Sequence, residues 1–344
     1  MDDTASVRRR TLLVLAAALL AAALLALLQS VLARPASAAE AATPASSRTG
    51  IVNIYTKLSY QSSSAAGTGI VVSPSGVVLT NNHVIRGATS IRVVDVTTKR
   101  SYSARVVGYT VQADLAVLRL THASGLTAMP LGNSATLRVG QTVTALGNAG
   151  GTGTTSVSTG QITGLHRSIV ARDDQGGAER LTNLIETNAA VQPGDSGGPL
   201  VNAAGRAIGI VTAGSVSFRF QDSAGLGYAI PINRARAIAK LIIAGKSSAT
   251  IHVGPTAFLG VSVRDAPAGG AQIVTVVPDS AAAAAGLAPN DVVTSLDGVA
   301  IASGGDLQKA VLSLTPGESV EIDWTDPFGT PQTAQITPAS GPPQ

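Results

Sequence analysis

Short runs of aliphatic and β-branched residues, each ending in a turn, fill the chain from about Gly50 to Ile232. Runs of this kind, bounded by Gly, Pro, Asn or Ser, are typical of strands rather than helices. The runs at 69–72 and 77–80, for example, flank Ser73-Pro74-Ser75-Gly76. Pro at the second and Gly at the fourth position of that segment predict a type I turn in a hairpin. The pattern therefore predicts a mainly β fold, built as barrels or as a sandwich.

The composition limits both the core and the chemistry of such a fold. Aromatic residues make up 3% and charged residues 13% of the chain, so the core must consist of Val, Ile, Leu and Ala. The chain has no cysteine, which excludes disulfides, thiol catalysis and zinc–thiolate sites. The net charge of +4 is modest and three arginines are adjacent near the N-terminus, so no basic face favours nucleic acid as a partner.

Residues 1–38 have the features of an export signal. Arg8-Arg9-Arg10 precede an apolar stretch at 12–28, and the small-x-small triplet Ala36-Ser37-Ala38 follows. This order predicts a secretory signal peptide. The apolar stretch is also near the low end of the lengths that can span a bilayer, so an uncleaved membrane anchor is the alternative. Both interpretations predict an extracytoplasmic protein, secreted or in the cell envelope, with membrane contact only through this segment if it stays uncleaved.

The rest of the chain divides at two polar breaks. Asn233 is a good N-cap and Gly245 a good helix end, so a helix is expected to close the first domain. The last residues are rich in Pro and Gly, which predicts a loose tail. The predicted boundaries are a linker at 39–48, a first domain at 49–245, a linker at 246–254, a second domain at 255–337 and the tail at 338–344.

The strongest functional signal is the segment Gln192-Pro193-Gly194-Asp195-Ser196-Gly197-Gly198-Pro199-Leu200. Acyl transfer needs a hydroxyl nucleophile beside backbone N–H groups that stabilise the developing oxyanion. Gly194 permits a positive-φ turn that directs its own N–H and that of Ser196 towards one point. Ser196 is therefore the candidate nucleophile, and Gly194 and Ser196 form the candidate oxyanion hole. The alternative is an ordinary glycine-rich turn of an all-β domain.

The nucleophile needs a base, and the base needs an orienting carboxylate. Of the four histidines, His83 follows directly after a predicted strand, in the segment Leu79-Thr80-Asn81-Asn82-His83. Asp114 begins the apolar run at 114–118, where a charge will be partly buried and must be paired. Asp95, which lies among valines, is the alternative carboxylate.

Four blocks together carry a family resemblance: Thr80-Asn81-Asn82-His83-Val84-Ile85, Asp114-Leu115-Ala116-Val117-Leu118, Gly194-Asp195-Ser196-Gly197-Gly198-Pro199-Leu200 and Gly227-Tyr228-Ala229-Ile230-Pro231. They resemble the HtrA/DegP-type serine proteases, and the sequence is most similar to the secreted, PepA-like branch. The resemblance implies a chymotrypsin-like double β-barrel of two six-stranded antiparallel barrels. It also implies that Ser196 is the nucleophile, that His83 is the general base and then acid, that Asp114 orients His83, and that no metal or organic cofactor is needed.

One residue departs from the family pattern. Asp195 stands before the nucleophile, where many HtrA proteins have Asn, and in digestive-type relatives an Asp there pairs with a newly cut N-terminus. The segment Arg48-Thr49-Gly50-Ile51-Val52 weakly resembles such a cut site, although Ile51-Val52-Asn53-Ile54 also suits an ordinary first strand. Zymogen-type activation therefore stays open, and the alternative is that Asp195 pairs locally or faces solvent.

Substrate preference follows from positions that match the family's pocket. Ala190, six residues before the nucleophile, resembles the floor of the S1 pocket and offers no carboxylate for Lys or Arg. The strand that pairs with the substrate is expected at Val211, Thr212 and Ala213. These residues predict a preference for small or medium aliphatic P1 side chains.

The second domain resembles a small α+β PDZ domain. The segment Phe258-Leu259-Gly260-Val261 is similar to the PDZ loop that binds a peptide's C-terminal carboxylate with consecutive N–H groups. Leu307–Leu314 has the spacing of an amphipathic helix, which would form the other wall of the groove. Asp297-Gly298 predicts a hairpin turn. By analogy this domain would bind peptide C-termini to recruit substrates or gate the protease, and a homotrimer is a further expectation from the family.

The sequence thus predicts an exported serine endopeptidase that acts on unfolded or damaged proteins, with peptide recognition by the PDZ domain. A catalytically silent scaffold that binds protein C-termini is the alternative, although all three triad residues are present. An esterase with the same triad would have a Gly-x-Ser-x-Gly elbow before a helix. Here Ser196 precedes Pro199 and a predicted strand, which disfavours that class.

Overall fold

The structure, a computed structural model, describes residues 48–173, 178–212, 218–220 and 226–344. All of them belong to one compact unit, 44–344. The predicted signal or anchor at 1–38, nearly all of the linker at 39–48, and Ala213 lie outside the described residues. Within the described ranges, no helix is long and apolar enough to cross a membrane.

The first half of the protease domain is a closed antiparallel barrel. Strands β5 and β6 pair with each other as well as with their other neighbours, and this pairing closes the sheet. Alternate strand residues such as Ile54, Val93 and Leu118 are buried inside it, as expected for strands with one face in a core. The turn at 73–76 joins β2 to β3 as predicted. The strands are β1 Ile51–Leu58, β2 Ser63–Ser73, β3 Val77–Thr80, β4 Ser90–Asp95, β5 Ser101–Thr110 and β6 Leu115–Leu120.

The second half is another closed barrel, in which the pairing of β8 with β9 closes the ring. Its strands are β7 Thr142–Gly147, β8 Ser156–Asp173, β9 Ala178–Thr187, β10 Pro199–Asn202, β11 Ala207–Thr212 and β13 Gly227–Pro231, with β12 Phe218–Phe220 added to β8. One apolar cluster spans both barrels and contains Ile51, Leu146 and Ile230. The predicted double β-barrel is confirmed, with a core of the expected aliphatic residues.

Helical segments connect or close the barrels. Helix α1, Asn82–Ile85, follows β3, and α2, Ile232–Ile243, follows β13. Short 3₁₀ turns occupy Ser59–Gln61, Ser134–Thr136 and Ala149–Gly151. The prediction that Asn233 caps the last helix is wrong, because Pro231 holds the N-cap position. The Asn233 side chain instead bonds Ser134 and Asn133 of the connection before β7, a non-local partnership that local propensity does not reveal.

The region after α2 joins the first barrel before the PDZ domain begins. Strand β14, His252–Val253, lies in the predicted linker at 246–254 and pairs with β5. The PDZ core gathers Leu259, Leu296 and Trp324. Asp297 and Gly298 both have positive φ between paired strands, so the predicted hairpin turn is confirmed. The elements are β15 Thr256–Phe258, β16 Val261–Asp265, β17 Ala271–Val276, α3 Ala281–Ala284, β18 Val292–Leu296, β19 Val299–Ala300, α4 Gly304–Ser313, β20 Val320–Thr325, β21 Pro331–Ile336 and β22 Ala339–Gly341.

The prediction of a loose tail at 338–344 is wrong. Strand β22 pairs with β15 in the register Thr256↔Gly341, and Pro342 and Pro343 are buried. The Pro343 carbonyl oxygen accepts a hydrogen bond from the Gly87 amide of the first barrel at 2.8 Å. The unpaired N–H and C=O groups of an edge strand such as β15 can order a neighbouring segment by hydrogen bonding, even one that is rich in Pro and Gly.

Candidate active site

The turn before β10 carries Ser196 and is held by hydrogen bonds to its carbonyl oxygens. The Pro193 oxygen accepts from the Gly150 amide at 2.8 Å, and the Gly194 oxygen accepts from Thr68 Oγ1 at 2.7 Å. In a trans peptide the C=O and the following N–H point in opposite directions. Because Gly150 fixes the Pro193 carbonyl, the Gly194 N–H points away from the 3₁₀ turn that contains Gly150.

Gly194 itself must be glycine for this turn to form. Its φ is +99°, and an added Cβ would lie 2.2 Å from the Asn148 carbonyl oxygen. The next carbonyl, that of Asp195, accepts from the Gly198 amide at 2.9 Å, so the Ser196 N–H likewise points away from the Gly197-Gly198 pair. The positive φ that the sequence predicted at Gly194 is thus present, and the oxyanion hole formed by the Gly194 and Ser196 amides stays a prediction.

His83 and Asp114 lie together although 31 positions separate them. His83 Nδ1 lies 2.9 Å from Asp114 Oδ2 and 3.1 Å from Oδ1, and the His83 amide donates to Oδ1 at 3.0 Å. The carboxylate of Asp114 is 1% exposed. A proton on Nδ1 is therefore held by the carboxylate, which leaves Nε2 as the basic nitrogen of the ring.

Asp114 takes part in two further hydrogen bonds that fix its position. Thr212 Oγ1 donates to Oδ2 at 2.8 Å, and Asn81 Nδ2 donates to the Asp114 carbonyl oxygen at 2.9 Å. Asp114 has φ +48°, a left-handed conformation that Asp and Asn adopt more readily than other residues with a side chain. The alternative carboxylate, Asp95, instead accepts from the amides of Thr97 and Thr98 in the turn after β4.

His83, Gly194 and Ser196 line one cleft of about 2120 Å³. They come from α1 of the first barrel and from the turn before β10 of the second, so the cleft lies where the two barrels meet. Residues of the PDZ domain, including Phe258 and Leu307, line the same cleft. The structure thus places the predicted nucleophile Ser196, the predicted base His83 and Gly194 at one surface. Asp114 is buried behind His83.

The residues predicted to bind the substrate take different positions. Val211 is buried, its amide donates to the Gly198 oxygen, and its oxygen accepts from the Gly197 amide. Its backbone therefore supports the nucleophile turn rather than offering hydrogen bonds to a substrate. The Thr212 hydroxyl donates to Asp114. Ala190 is exposed beside the buried Ala189. Ala213 lies outside the described residues.

Two supporting residues were not identified from the sequence. Thr68 accepts from the Asn148 amide and donates to the Gly194 oxygen, and its own amide donates to the Ser196 oxygen at 2.8 Å. A threonine between two glycines, directly before the predicted run at 69–72, was the available signal. Ser156, the first residue of β8, donates its hydroxyl to Asp195 Oδ1; no local signal marks it.

Asp195 is a buried carboxylate next to the nucleophile. It is 2% exposed, and the Gln192 amide donates to its Oδ2 at 2.9 Å. Burial raises the pKa of Asp195, and hydrogen bonds from the Ser156 hydroxyl and the Gln192 and Ala149 amides offset part of that rise. The carboxylate thus joins the nucleophile turn to the connection between β7 and β8.

The loop predicted to bind a peptide carboxylate lies at the start of the PDZ sheet. Gly260 has φ +86°, Leu259 is buried, and Val261 begins β16. Among the described strands β16 pairs only with β17, so its other edge is free beside α4. The Phe258 ring stacks on Tyr60 of the first barrel, with 4.9 Å between centroids.

Family models match both domains. The description "Trypsin-like peptidase domain" fits residues 67–210, and "PDZ domain" fits residues 257–325. These matches fall within the first and second domains that the sequence predicted.

Relatives with known names agree with these matches. The serine protease PepD of Mycobacterium tuberculosis is 39% identical over 302 residues, which is 83% of this chain and 63% of PepD. The periplasmic serine endoprotease DegP of Escherichia coli is 33% identical over 75% of this chain and 54% of DegP. The chain thus spans between half and two thirds of the length of these relatives. The closer similarity to the PepA-like branch stays a prediction.

One solved structure of a relative matches this chain over nearly the whole of the relative's length. The HtrA-type protease AlgW, determined with a tripeptide, is 32% identical to this chain with a TM-score of 0.50. The match covers 87% of this chain and 97% of the AlgW chain. With its double barrel, its trypsin-like peptidase match and its PDZ domain, the chain belongs to the family of HtrA-type serine proteases.

Proposed function

We propose that this protein is an exported serine endopeptidase that hydrolyses peptide bonds of unfolded or damaged proteins. His83, Asp114 and Ser196 form its catalytic triad in this proposal. The observation that carries it is the buried Asp114 carboxylate bonded to His83, which lines the same cleft as Gly194 and Ser196.

The mechanism assigns one task to each group. Ser196 Oγ attacks the carbonyl carbon of the scissile bond while His83 Nε2 accepts its proton, and His83 then donates that proton to the leaving amine. Asp114 holds the ring by Nδ1 and stabilises the cation that forms on His83. The amides of Gly194 and Ser196 bind the oxyanion. Water, deprotonated by His83, then hydrolyses the acyl-enzyme, and the chemistry needs no metal or organic cofactor.

Substrate class follows from the shape and chemistry of the cleft. We expect unfolded segments as substrates, because Ser196 lies in a cleft and an extended chain enters a cleft more easily than a folded domain does. Ala190 provides no carboxylate at the expected S1 floor, and we propose small or medium aliphatic P1 residues. Robust cleavage after Lys or Arg would contradict this preference.

We further propose that the PDZ domain binds peptide C-termini. Phe258, Leu259, Gly260 and Val261 supply the carboxylate loop, and a peptide would add as a strand to the free edge of β16. AlgW has been solved with a tripeptide, which supports peptide binding in this family. Export, by secretion or into the cell envelope, agrees with the periplasmic location in the name of DegP, and a homotrimer is the proposed assembly.

The test is digestion of a denatured protein. Purified protein and its Ser196→Ala variant are incubated with reduced, unfolded casein and with a stable folded protein, and product ends are determined by mass spectrometry. We expect wild type to cleave casein after small aliphatic residues and the variant to leave it intact. If wild type binds C-terminal peptides but cleaves nothing, the protein is a scaffold and the proposal fails.

A further inference from the structure

Asp195 has neutral partners, although a buried carboxylate usually needs a cation. Its oxygens accept from the Ser156 hydroxyl and from the Gln192 amide. No Lys or Arg of the described residues lies within ion-pair distance of it. In an enzyme activated by N-terminal cleavage, a new ammonium group would fill this role. Here hydroxyl and amide donors already occupy both oxygens.

The segment that could supply such an ammonium group is fixed elsewhere. Ile51 is 1% exposed, and β1 pairs with β2 and β4 along its length from Ile51↔Ile70 onwards. The Gly50 oxygen accepts from the Val71 amide, and an added Cβ on Gly50 would lie 2.4 Å from the Met129 nitrogen. A new terminus at Ile51 could reach Asp195 only by leaving this sheet.

We infer that Ser156 is the positioning residue for the oxyanion hole and takes the place of an N-terminal cation. Its Oγ donates to Asp195 and accepts from the Ala149 amide at 3.4 Å. The 3₁₀ turn that begins at Ala149 also contains Gly150, whose amide fixes the Pro193 carbonyl. The contact thus connects Asp195 to the group that orients the Gly194 N–H.

This inference rests on the proposed function. It adds that the protein is competent for catalysis without cleavage before Ile51, because Ser156 already donates to Asp195. Neither Ser156 nor Asp195 lines the cleft, so both act on the reaction through the backbone of the nucleophile turn. Their removal should therefore lower kcat and leave KM nearly unchanged.

The experiment uses the full chain and four variants: Ser156→Ala, Ser156→Thr, Asp195→Asn and the double variant Ser156→Ala/Asp195→Asn. For each we would measure kcat and KM on unfolded casein, and the rate of labelling by a fluorophosphonate with intact-mass detection. Ser156→Ala leaves an anionic oxygen without its hydroxyl donor, so kcat should fall about 10- to 100-fold, with KM within about twofold. Ser156→Thr keeps the hydroxyl and should retain most of the wild-type kcat.

The double variant separates positioning from simple loss of stability. An amide at 195 removes the buried charge, so Ser156→Ala should lower kcat by no more than about threefold in the Asp195→Asn background. Intact mass should show adducts on chains that still contain Gly50 and Ile51.

Any of three results would overturn the inference. The first is a wild-type kcat in Ser156→Ala, and the second is labelling confined to chains cut before Ile51. An equal loss of kcat in both backgrounds would also contradict it, because that result indicates a merely structural serine. If wild type neither cleaves casein nor reacts with the probe under any condition, the proposed function itself is refuted. This outcome differs from the three results above, in all of which wild type is active.

Discussion

Replacing Thr212 with valine tests whether this side chain serves the catalytic carboxylate or the substrate. Valine keeps the shape of threonine and exchanges the hydroxyl for a methyl group. Thr212 is 0% exposed, and its Oγ1 lies 2.8 Å from Asp114 Oδ2. The substitution therefore removes one donor from a buried carboxylate and leaves its other donors, both from His83, in place.

The magnitude follows from the charge on the acceptor. A hydrogen bond to an ionised group contributes about 1.5–3 kcal/mol. The transition state places a positive charge on His83, which the Asp114 carboxylate stabilises only if it stays correctly oriented. If the whole loss raises the barrier, kcat falls about 10- to 150-fold, since about 1.4 kcal/mol corresponds to a factor of ten. This range is an upper limit, because part of the loss also lowers the free energy of unfolding.

The assay compares Thr212→Val with Thr212→Ser, which keeps the hydroxyl. Steady-state hydrolysis of unfolded casein gives kcat and KM, and circular dichroism during heating reports the loss of stability. We expect a large fall in kcat for valine, little change for serine, and KM within about twofold for both. An increase in KM at constant kcat would refute the reasoning and return Thr212 to the substrate-binding role.

Three further predictions concern packing, protonation and domain attachment. Gly197→Ala should abolish fluorophosphonate labelling, because φ is +85° and the new Cβ would lie 2.0 Å from a carbonyl oxygen of β2. The control Gly205→Ala, with φ +68° and open space around the new Cβ, should label normally. Equal labelling of the two variants would contradict the close packing at Gly197. Because burial raises the folded-state pKa of Asp195 above its ordinary value of 3.8, its contribution to the free energy of unfolding is greatest at low pH and declines as pH rises from about 3.8 through the folded pKa. The melting temperature of Asp195→Asn minus that of wild type should therefore increase over this window, and a difference that is independent of pH would be the contrary result. Tyr109→Phe removes the hydroxyl that contacts Thr256 Oγ1 at 3.1 Å and should lower the free energy of unfolding by about 1 kcal/mol in urea titrations; an unchanged midpoint would show that this contact does not stabilise the attachment of the PDZ domain.

The elements that depend on local sequence were predictable. Short aliphatic runs with intervening turns predicted strands because the β period and turn chemistry act over a few residues. The residue types around His83, Asp114 and Ser196 were recognisable because acyl transfer requires a base, a carboxylate and a nucleophile in fixed roles. Each of these short blocks contains the residue types that its catalytic role requires, so the blocks could be identified from the amino-acid sequence.

What could not be predicted depends on contacts between distant segments. Thr212 meets Asp114 across 98 positions, and Thr68 meets Gly194 across 126. Strand β22 finds its partner β15 only when the PDZ domain is folded, so composition alone indicated a loose tail. The sequence left open whether Asp195 pairs with a new N-terminus, pairs locally or faces solvent. Its carboxylate accepts from Ser156, which lies 39 positions away at the start of β8.

Active-site labelling tests the central claim most directly. Wild type, Ser196→Ala and His83→Ala are treated with a fluorophosphonate, and intact mass and peptide mapping locate any adduct. We predict one adduct on Ser196 in wild type, none in Ser196→Ala, and labelling slowed at least about 100-fold in His83→Ala. An adduct that persists in Ser196→Ala, or labelling of wild type that is no faster than that of His83→Ala, would contradict a triad at His83, Asp114 and Ser196.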